Sequence, residues 1–263
     1  MWIKVGWLLS MARSGTSIAC YAGAAPWGHP VCDEPFGPWD RTTPPFNHPP
    51  VQTALMEAFE KSGRTLSPEV VELTKKLFST MGTRTGSLIC KVPHLHPTPA
   101  EIDEHLPRSK RVMLIRNPLH RLNSLYTRGW TESAGQEYDL NRYKAFAERW
   151  LAEPRDNRLV YDDIRDDPEG FFRKMYVAWD WMFEDEDVRA AADYARNNYH
   201  HRSKRVDAKA DPSRVVSETK PALPEEAVAA YLGDPFIRDL MEQLGWSTNA
   251  EEYLRPGVGA DAG

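Results

Sequence analysis

Short apolar runs alternate with longer amphipathic segments along most of this chain. Trp2 to Leu9 is a strand-like run that stops at the small and flexible residues Ser10 to Thr16, after which Ser17 to Gly23 is compatible with a helix. Gln52 to Ser62 and Pro68 to Met81 carry helical spacing, the second with Val70, Val71, Leu73, Leu77 and Phe78 on one face. Ser87 to Val92 and Lys110 to Arg116 read as strands, with a helix predicted from Pro99 to His105 between them. Pro118 to Trp130, with proline near its first turn, and Asn141 to Leu151 read as helices, and Arg158 to Tyr161 as a fourth short strand. Helices are also predicted over Pro168 to Phe183, Asp187 to Asn198, Pro224 to Leu232 and Pro235 to Leu244. Strands alternating with helices imply an α/β protein with a parallel sheet and right-handed crossovers.

Two stretches break this rhythm. Between Ala24 and Pro50, repeated prolines exclude long helices. Trp27, His29, Asp33, Glu34, Phe36, Trp39 and His48 in that stretch supply ring faces and titratable groups suited to gripping a substrate, although most are expected to pack onto the core. Tyr199 to Arg214 is basic and irregular, a solvated loop or a cover for an anionic ligand. Residues 256–263 are expected to be a disordered tail.

With 263 residues and 41% hydrophobic composition, the chain suffices for one large domain, taken here as residues 1–255. The net charge of −5 argues against general nucleic-acid binding and requires any anion site to be local. Cys20, Cys32 and Cys90 are odd in number and lack Cys-x-x-Cys spacing, so neither a disulfide framework nor a zinc knuckle is suggested, and a reducing, cytoplasmic setting fits. No apolar run reaches membrane length and no signal-peptide pattern stands at the start, so no membrane partner is expected.

The chemistry concentrates at Ser10 to Thr16. A strand followed by a small-residue loop and a helix start presents unpaired amides and the positive end of the helix dipole to an anion. Gly15 permits close approach, Ser14, Thr16 and Ser17 add hydroxyls, and Arg13 can fork two anionic oxygens. The Gly-x-x-x-x-Gly-Lys-Ser/Thr pattern of nucleoside-triphosphate loops is absent. A second cation, Arg116, ends the clearest strand, and Asn117-Pro118 opens a helix that carries Ser124. Ligands of α/β sheets bind beyond the carboxyl ends of strands, where both arginines fall by this reading.

The pair Arg-Ser-Gly-Thr-Ser (Arg13 to Ser17) and Arg-Asn-Pro-x-x-x-x-x-Ser-x-Tyr (Arg116 to Tyr126) resembles the two signature motifs of sulfotransferases that use 3′-phosphoadenosine-5′-phosphosulfate (PAPS). Lys91-Val-Pro-His94-Leu-His96, Tyr161-Asp-Asp-Ile164 with Asp167-Pro168, and Asp33-Glu-Pro-Phe36 are similar to further elements of that family, and the similarity covers Met1 to Phe183 in order. The resemblance implies an α/β, P-loop-like three-layer fold with a central parallel sheet flanked by helices. It also implies that Arg13, Ser14, Gly15, Thr16 and Ser17 bind the 5′ end of PAPS, and Arg116 and Ser124 the 3′-phosphate. Ile18 replaces the aromatic that follows the first loop in the cytosolic steroid and phenol enzymes, and no Arg-Lys-Gly with a downstream Gly-Asp-Trp-Lys is present. Both departures point towards the bacterial or carbohydrate-type branch.

In-line sulfuryl transfer resembles phosphoryl transfer, so positioning and electrostatics carry most of the catalysis. Arg13 and Lys91 are expected to stabilise charge growing on the leaving phosphate, with no metal. Two residues compete for the role of general base towards a small-molecule or carbohydrate hydroxyl. Glu34 is favoured by its motif, with desolvation expected to raise its pKa, whereas His94 offers an imidazole already close to the right range. The competing functions are a P-loop-like nucleotide kinase and a non-catalytic nucleotide-binding module. The identity of the acceptor and the oligomeric state are not specified by these residues.

Overall fold

A computed structural model describes residues 3–37, 50–82, 85–127, 136–198 and 223–254. Trp39, His48, the basic stretch from Tyr199 to Arg214 and the expected tail therefore lie outside the described residues. The chain divides into two compact units, one of Met1–Leu114 with Glu153–Asn198 and one of Ile115–Ala152 with Tyr199–Gly263.

The first unit is built on a sheet. Among the described residues its strands are β1 (Lys4–Ser10), β2 (Val31–Asp33), β3 (Ser87–Val92), β4 (Lys110–Ile115, whose last residue falls to the other unit) and β5 (Arg158–Val160), in the order β2-β3-β1-β4-β5. Registered pairs β1–β3, β1–β4 and β2–β3 are parallel. After β1 the chain travels to one edge and later returns to place β4 on the other side of β1, so the strand order reverses at β1. Such a reversal leaves a crevice beyond the carboxyl ends of the strands.

Helices α1 (Thr16–Ala24), α2 (Pro50–Lys61), α3 (Pro68–Gly82), α4 (Pro99–His105), α7 (Asp163–Asp166), α8 (Pro168–Ala178) and α9 (Asp185–Asn198) belong to this unit, and the two helices between α4 and α7 in sequence belong to the other. Successive strand residues face opposite sides. Trp7 packs edge-on to Phe78 of α3 at 5.4 Å, whereas a β-carbon on its neighbour Gly6 would strike Trp179, the residue that follows α8. Helix α8 shares its side of the sheet with α1, since Tyr176 donates to the carbonyl of Gly23 at 3.0 Å. The sheet thus lies between two helical layers, with Trp7, Leu8, Ile89, Cys90, Val112 and Leu114 fully buried within it. Cys20, Cys32 and Cys90 are buried thiols, and none forms a disulfide.

The second unit packs α5 (Pro118–Tyr126), α6 (Gln136–Ala152), α10 (Glu225–Gly233) and α11 (Pro235–Gln243). Its interior holds an ion pair. Arg121, almost fully buried, forks Asp139 of α6 at 2.7 and 2.8 Å, and Tyr231 of α10 donates to the same carboxylate at 2.7 Å. Lys144 of α6 reaches Asp234 at 2.6 Å, and Asp234 also caps α11 through the amide of Ile237.

Several elements differ from expectation. The proline-rich stretch contains β2, which is only three residues long and therefore shows no alternation of its own. Helix α8 stops at Ala178 instead of Phe183, because Asp180 adopts φ 54° and the amide of Trp181 bonds back to the carbonyl of Tyr176 at 3.0 Å, a left-handed helix stop. Helix α6 begins at Gln136, ahead of the predicted Asn141. Among the described residues no helix is long and apolar enough to cross a membrane.

Candidate active site

Adjacent strands deliver the candidate residues to one edge of the first unit. The loop Met11–Gly15 leaves β1, Glu34 follows β2, and Lys91 stands next to last in β3 with His94 two residues beyond that strand. Arg13 at φ 71° and Glu34 at φ 52° both occupy the left-handed region, which costs a side-chain-bearing residue about 1–2 kcal/mol. Strain of this kind is retained where the surrounding structure enforces it, and it clusters at functional sites.

The loop folds back through the amide of Ser14 to the carbonyl of Met11 at 3.2 Å and then passes through Gly15 at φ 83° into α1. No side-chain cap and no acidic residue occupies the first turn of α1. Its leading amides and dipole are thereby left for an anion. A β-carbon on Gly15 would strike the ring edge of Tyr161, so a glycine is required for contact as well as for φ.

Lys91 is the centre of the cluster, with its side chain 2% exposed. Its ammonium lies 2.6 Å from Asp33 Oδ1 and 2.8 Å from Glu34 Oε1, and donates to Ser17 Oγ in the first turn of α1 at 3.1 Å. The β2–β3 register sets Asp33 directly opposite Lys91, and the amide of Glu34 extends the ladder by bonding the Lys91 carbonyl at 2.9 Å. Glu34 Oε2 faces His94 Nε2 at 3.6 Å, and the turn from Glu34 to Gly37 closes at 3.1 Å beneath the imidazole. Phe36, anchored by a stack on Trp7 at 6.1 Å and by Phe59 at 4.8 Å, holds this turn down.

Glu34 and His94, treated above as rivals, are neighbours in one network. The pKa expected of Glu34 is corrected in sign. Burial pushes its carboxyl up, but the facing His94 imidazole and the Lys91 ammonium outweigh that push and hold it at about 2. Desolvation alone was visible in an aromatic, proline-rich stretch. The opposing cation comes from β3, more than fifty residues away in sequence.

The second expected anion site belongs to the second unit. Arg116 follows β4, its carbonyl accepting from Tyr143 at 2.7 Å, and Asn117 caps α5 by accepting from Leu119 and His120 at 2.9 and 3.1 Å. Asn117 also donates to Tyr253 at 3.0 Å, and Ser124 is buried along α5. Tyr21 was not singled out from sequence, and Asp33 was named only among the titratable groups of the proline-rich stretch, with no partner. Tyr21 donates to Asp33 Oδ2 at 3.3 Å, and the signal for Asp33 was its place beside Glu34 in Asp33-Glu-Pro-Phe36.

A parallel sheet sandwiched by helices, with an anion-ready loop after its first strand, defines a P-loop-like α/β protein. The fold is that of solved sulfotransferases. The chain is similar to sulfotransferase STF9 from Mycobacterium avium, at 12% identity and a TM-score of 0.53 over 97% of this chain and 79% of that one. It is similar to mouse sulfotransferase SULT7A1 complexed with PAP, at 12% identity and a TM-score of 0.51 over 92% and 88% of the two chains. Retinol dehydratase in complex with androsterone and the inactive cofactor PAP is another likeness, at 13% identity and a TM-score of 0.50 over 91% and 80%. No family model matches the chain, and no curated protein sequence matches it.

Proposed function

We propose that this chain, as one catalytic domain over residues 1–255, moves the sulfuryl group of PAPS to a hydroxyl of a small-molecule or carbohydrate acceptor. The observation that carries the proposal is the buried Lys91 ammonium, placed between the first turn of α1 and the Glu34–His94 pair. The residues fit the donor: the uncapped start of α1, Ser14, Gly15, Thr16, Ser17 and Arg13 suit a phosphosulfate, and the motif assigns Arg116 and Ser124 to the 3′-phosphate. The fold of proteins solved with PAP supports the same donor class.

The donor supplies a sulfuryl group already joined to a phosphate leaving group. Arg13 and the α1 amides hold anionic oxygens, and Lys91 offsets the negative charge that grows on the phosphate as its S–O bond breaks. The acceptor hydroxyl gives up its proton while its oxygen forms the new S–O bond. Held at about 2, Glu34 is a weak proton acceptor, which favours His94 as the base, with the Glu34 carboxylate 3.6 Å from Nε2 to balance the imidazolium that forms.

Thermal stabilisation by adenosine 3′,5′-bisphosphate tests the assignment, since a ligand of the native state raises its melting temperature. The expected result is a shift that 5′-AMP does not reproduce and that Arg116→Ala abolishes. A clear shift with magnesium-ATP and none with the bisphosphate would overturn it in favour of a kinase.

A further inference from the structure

We infer that Asp33 is a positioning residue of this same site, a fixed counter-ion that keeps the Lys91 ammonium aimed at the anion loop whichever partner Glu34 takes. The inference rests on the sulfotransferase reading above. The Lys91 ammonium meets two carboxylates and a hydroxyl: it forms close ion pairs with Asp33 and Glu34 and donates a hydrogen bond to Ser17. A cation this deeply buried needs an opposite charge close by. Two carboxylates compete to provide it, and they are not equivalent.

Asp33 is the shorter contact, at 2.6 Å, and its place is set by backbone pairing, because the β2–β3 ladder puts its residue opposite Lys91. Its other oxygen accepts from Tyr21 of α1, so the carboxylate is tied to two elements, β3 and α1. Glu34 hangs on the strained turn after β2, with one oxygen on Lys91 and one facing His94. A division of labour follows. Asp33 keeps Lys91 compensated and oriented, which frees Glu34 to respond when His94 gains a proton. With Asp33 neutral, Glu34 alone would have to balance Lys91, and the ammonium would be drawn towards Glu34 and away from Ser17.

Calorimetric titration of the full chain with adenosine 3′,5′-bisphosphate tests this. Asp33→Asn is expected to weaken binding about tenfold, because a buried cation loses its closest counter-ion, and Asp33→Glu to stay within about threefold of wild type. In a Lys91→Met background Asp33→Asn should have no further effect, because its route to the ligand has been removed. A merely structural aspartate would add its penalty in both backgrounds, and that outcome, or wild-type binding by Asp33→Asn, overturns the inference. If Asp33→Asn does not fold, Tyr21→Phe takes its place in the same cycle, since it removes only the bond to Asp33 Oδ2. Weaker binding that depends on Lys91 upholds the inference, and unchanged binding overturns it. Failure of wild type itself to bind the bisphosphate is a separate result, which overturns the sulfotransferase reading and the role of Asp33 within it.

Discussion

The ring of Tyr161 lies against Gly15 so closely that a β-carbon on that glycine would strike the ring's edge. Tyr161 follows β5 and Gly15 closes the loop after β1, so the contact braces the anion loop from the far edge of the sheet. Gly15→Ala should therefore suffer twice, from a side chain at φ 83° and from displacement of the tyrosine. The left-handed penalty is about 1 kcal/mol and the overpacking about 1–3 kcal/mol more. Adding Tyr161→Ala should recover the second part and leave the first. Urea unfolding of the two variants checks this, and a double variant no more stable than Gly15→Ala would refute the steric account.

Glu34 makes stability depend on acid in a defined window. Its carboxyl is held at about 2 in the folded chain against an ordinary value of 4.5, so the folded state favours the ionised form. Stability from this group is complete above about pH 5 and is lost as pH falls through the folded value. Glu34→Gln should cost about 2 kcal/mol at pH 7, because Lys91 loses one of its two anions. The gap in melting temperature between wild type and variant should narrow from pH 6 to pH 3. A gap that stays constant over that range would show that Glu34 is not coupled to Lys91.

The parts of this site that were legible in sequence are those encoded locally. The turn from β1 through Gly15 into α1, and Asn117-Pro118 opening α5, are written in consecutive residues whose backbone preferences suffice. The longer helices of unit one were recoverable from periodicity, whereas the four-residue α7 was not predicted, and Pro99–His105 matches its predicted limits, fixed by the Thr98–Glu101 capping box. What could not be read is pairing. β2 is too short to show a pattern, and without it nothing sets Asp33 opposite Lys91. The same gap made Glu34 and His94 look like alternatives and reversed the expected direction of the Glu34 pKa.

In the second unit, Arg121 is buried with Asp139 as its forked partner and Tyr231 as a third member. Removing one partner strands the other's charge in the interior, which costs more than the pair contributes. Asp139→Asn is expected to destabilise by about 3–5 kcal/mol, while Arg121→Met with Asp139→Leu, which removes both charges, should cost clearly less. Chemical denaturation monitored at the helices reports both. A double variant worse than the single would mean that the hydrogen bonds, and not the burial of charge, dominate.

His29 offers the opposite case, a titratable ring with no charge beside it among the described residues to compensate burial. It stacks on Trp27 at 5.3 Å and meets Trp181 edge-on at 5.0 Å, and its Nδ1 is buried without a hydrogen-bond partner among the described residues. Burial lowers its pKa below the ordinary 6.5, so the unfolded chain takes up a proton before the folded one does. Stability must then fall as pH drops below that value and go on falling until the folded ring protonates. His29→Phe keeps a planar ring between the two indoles and removes the titration, and it should be neutral or stabilising by up to about 1 kcal/mol at pH 7. The melting temperature of the variant should decline less than that of wild type between pH 7 and pH 5. Parallel decline in the two proteins would place the acid sensitivity elsewhere and leave His29 a packing residue alone.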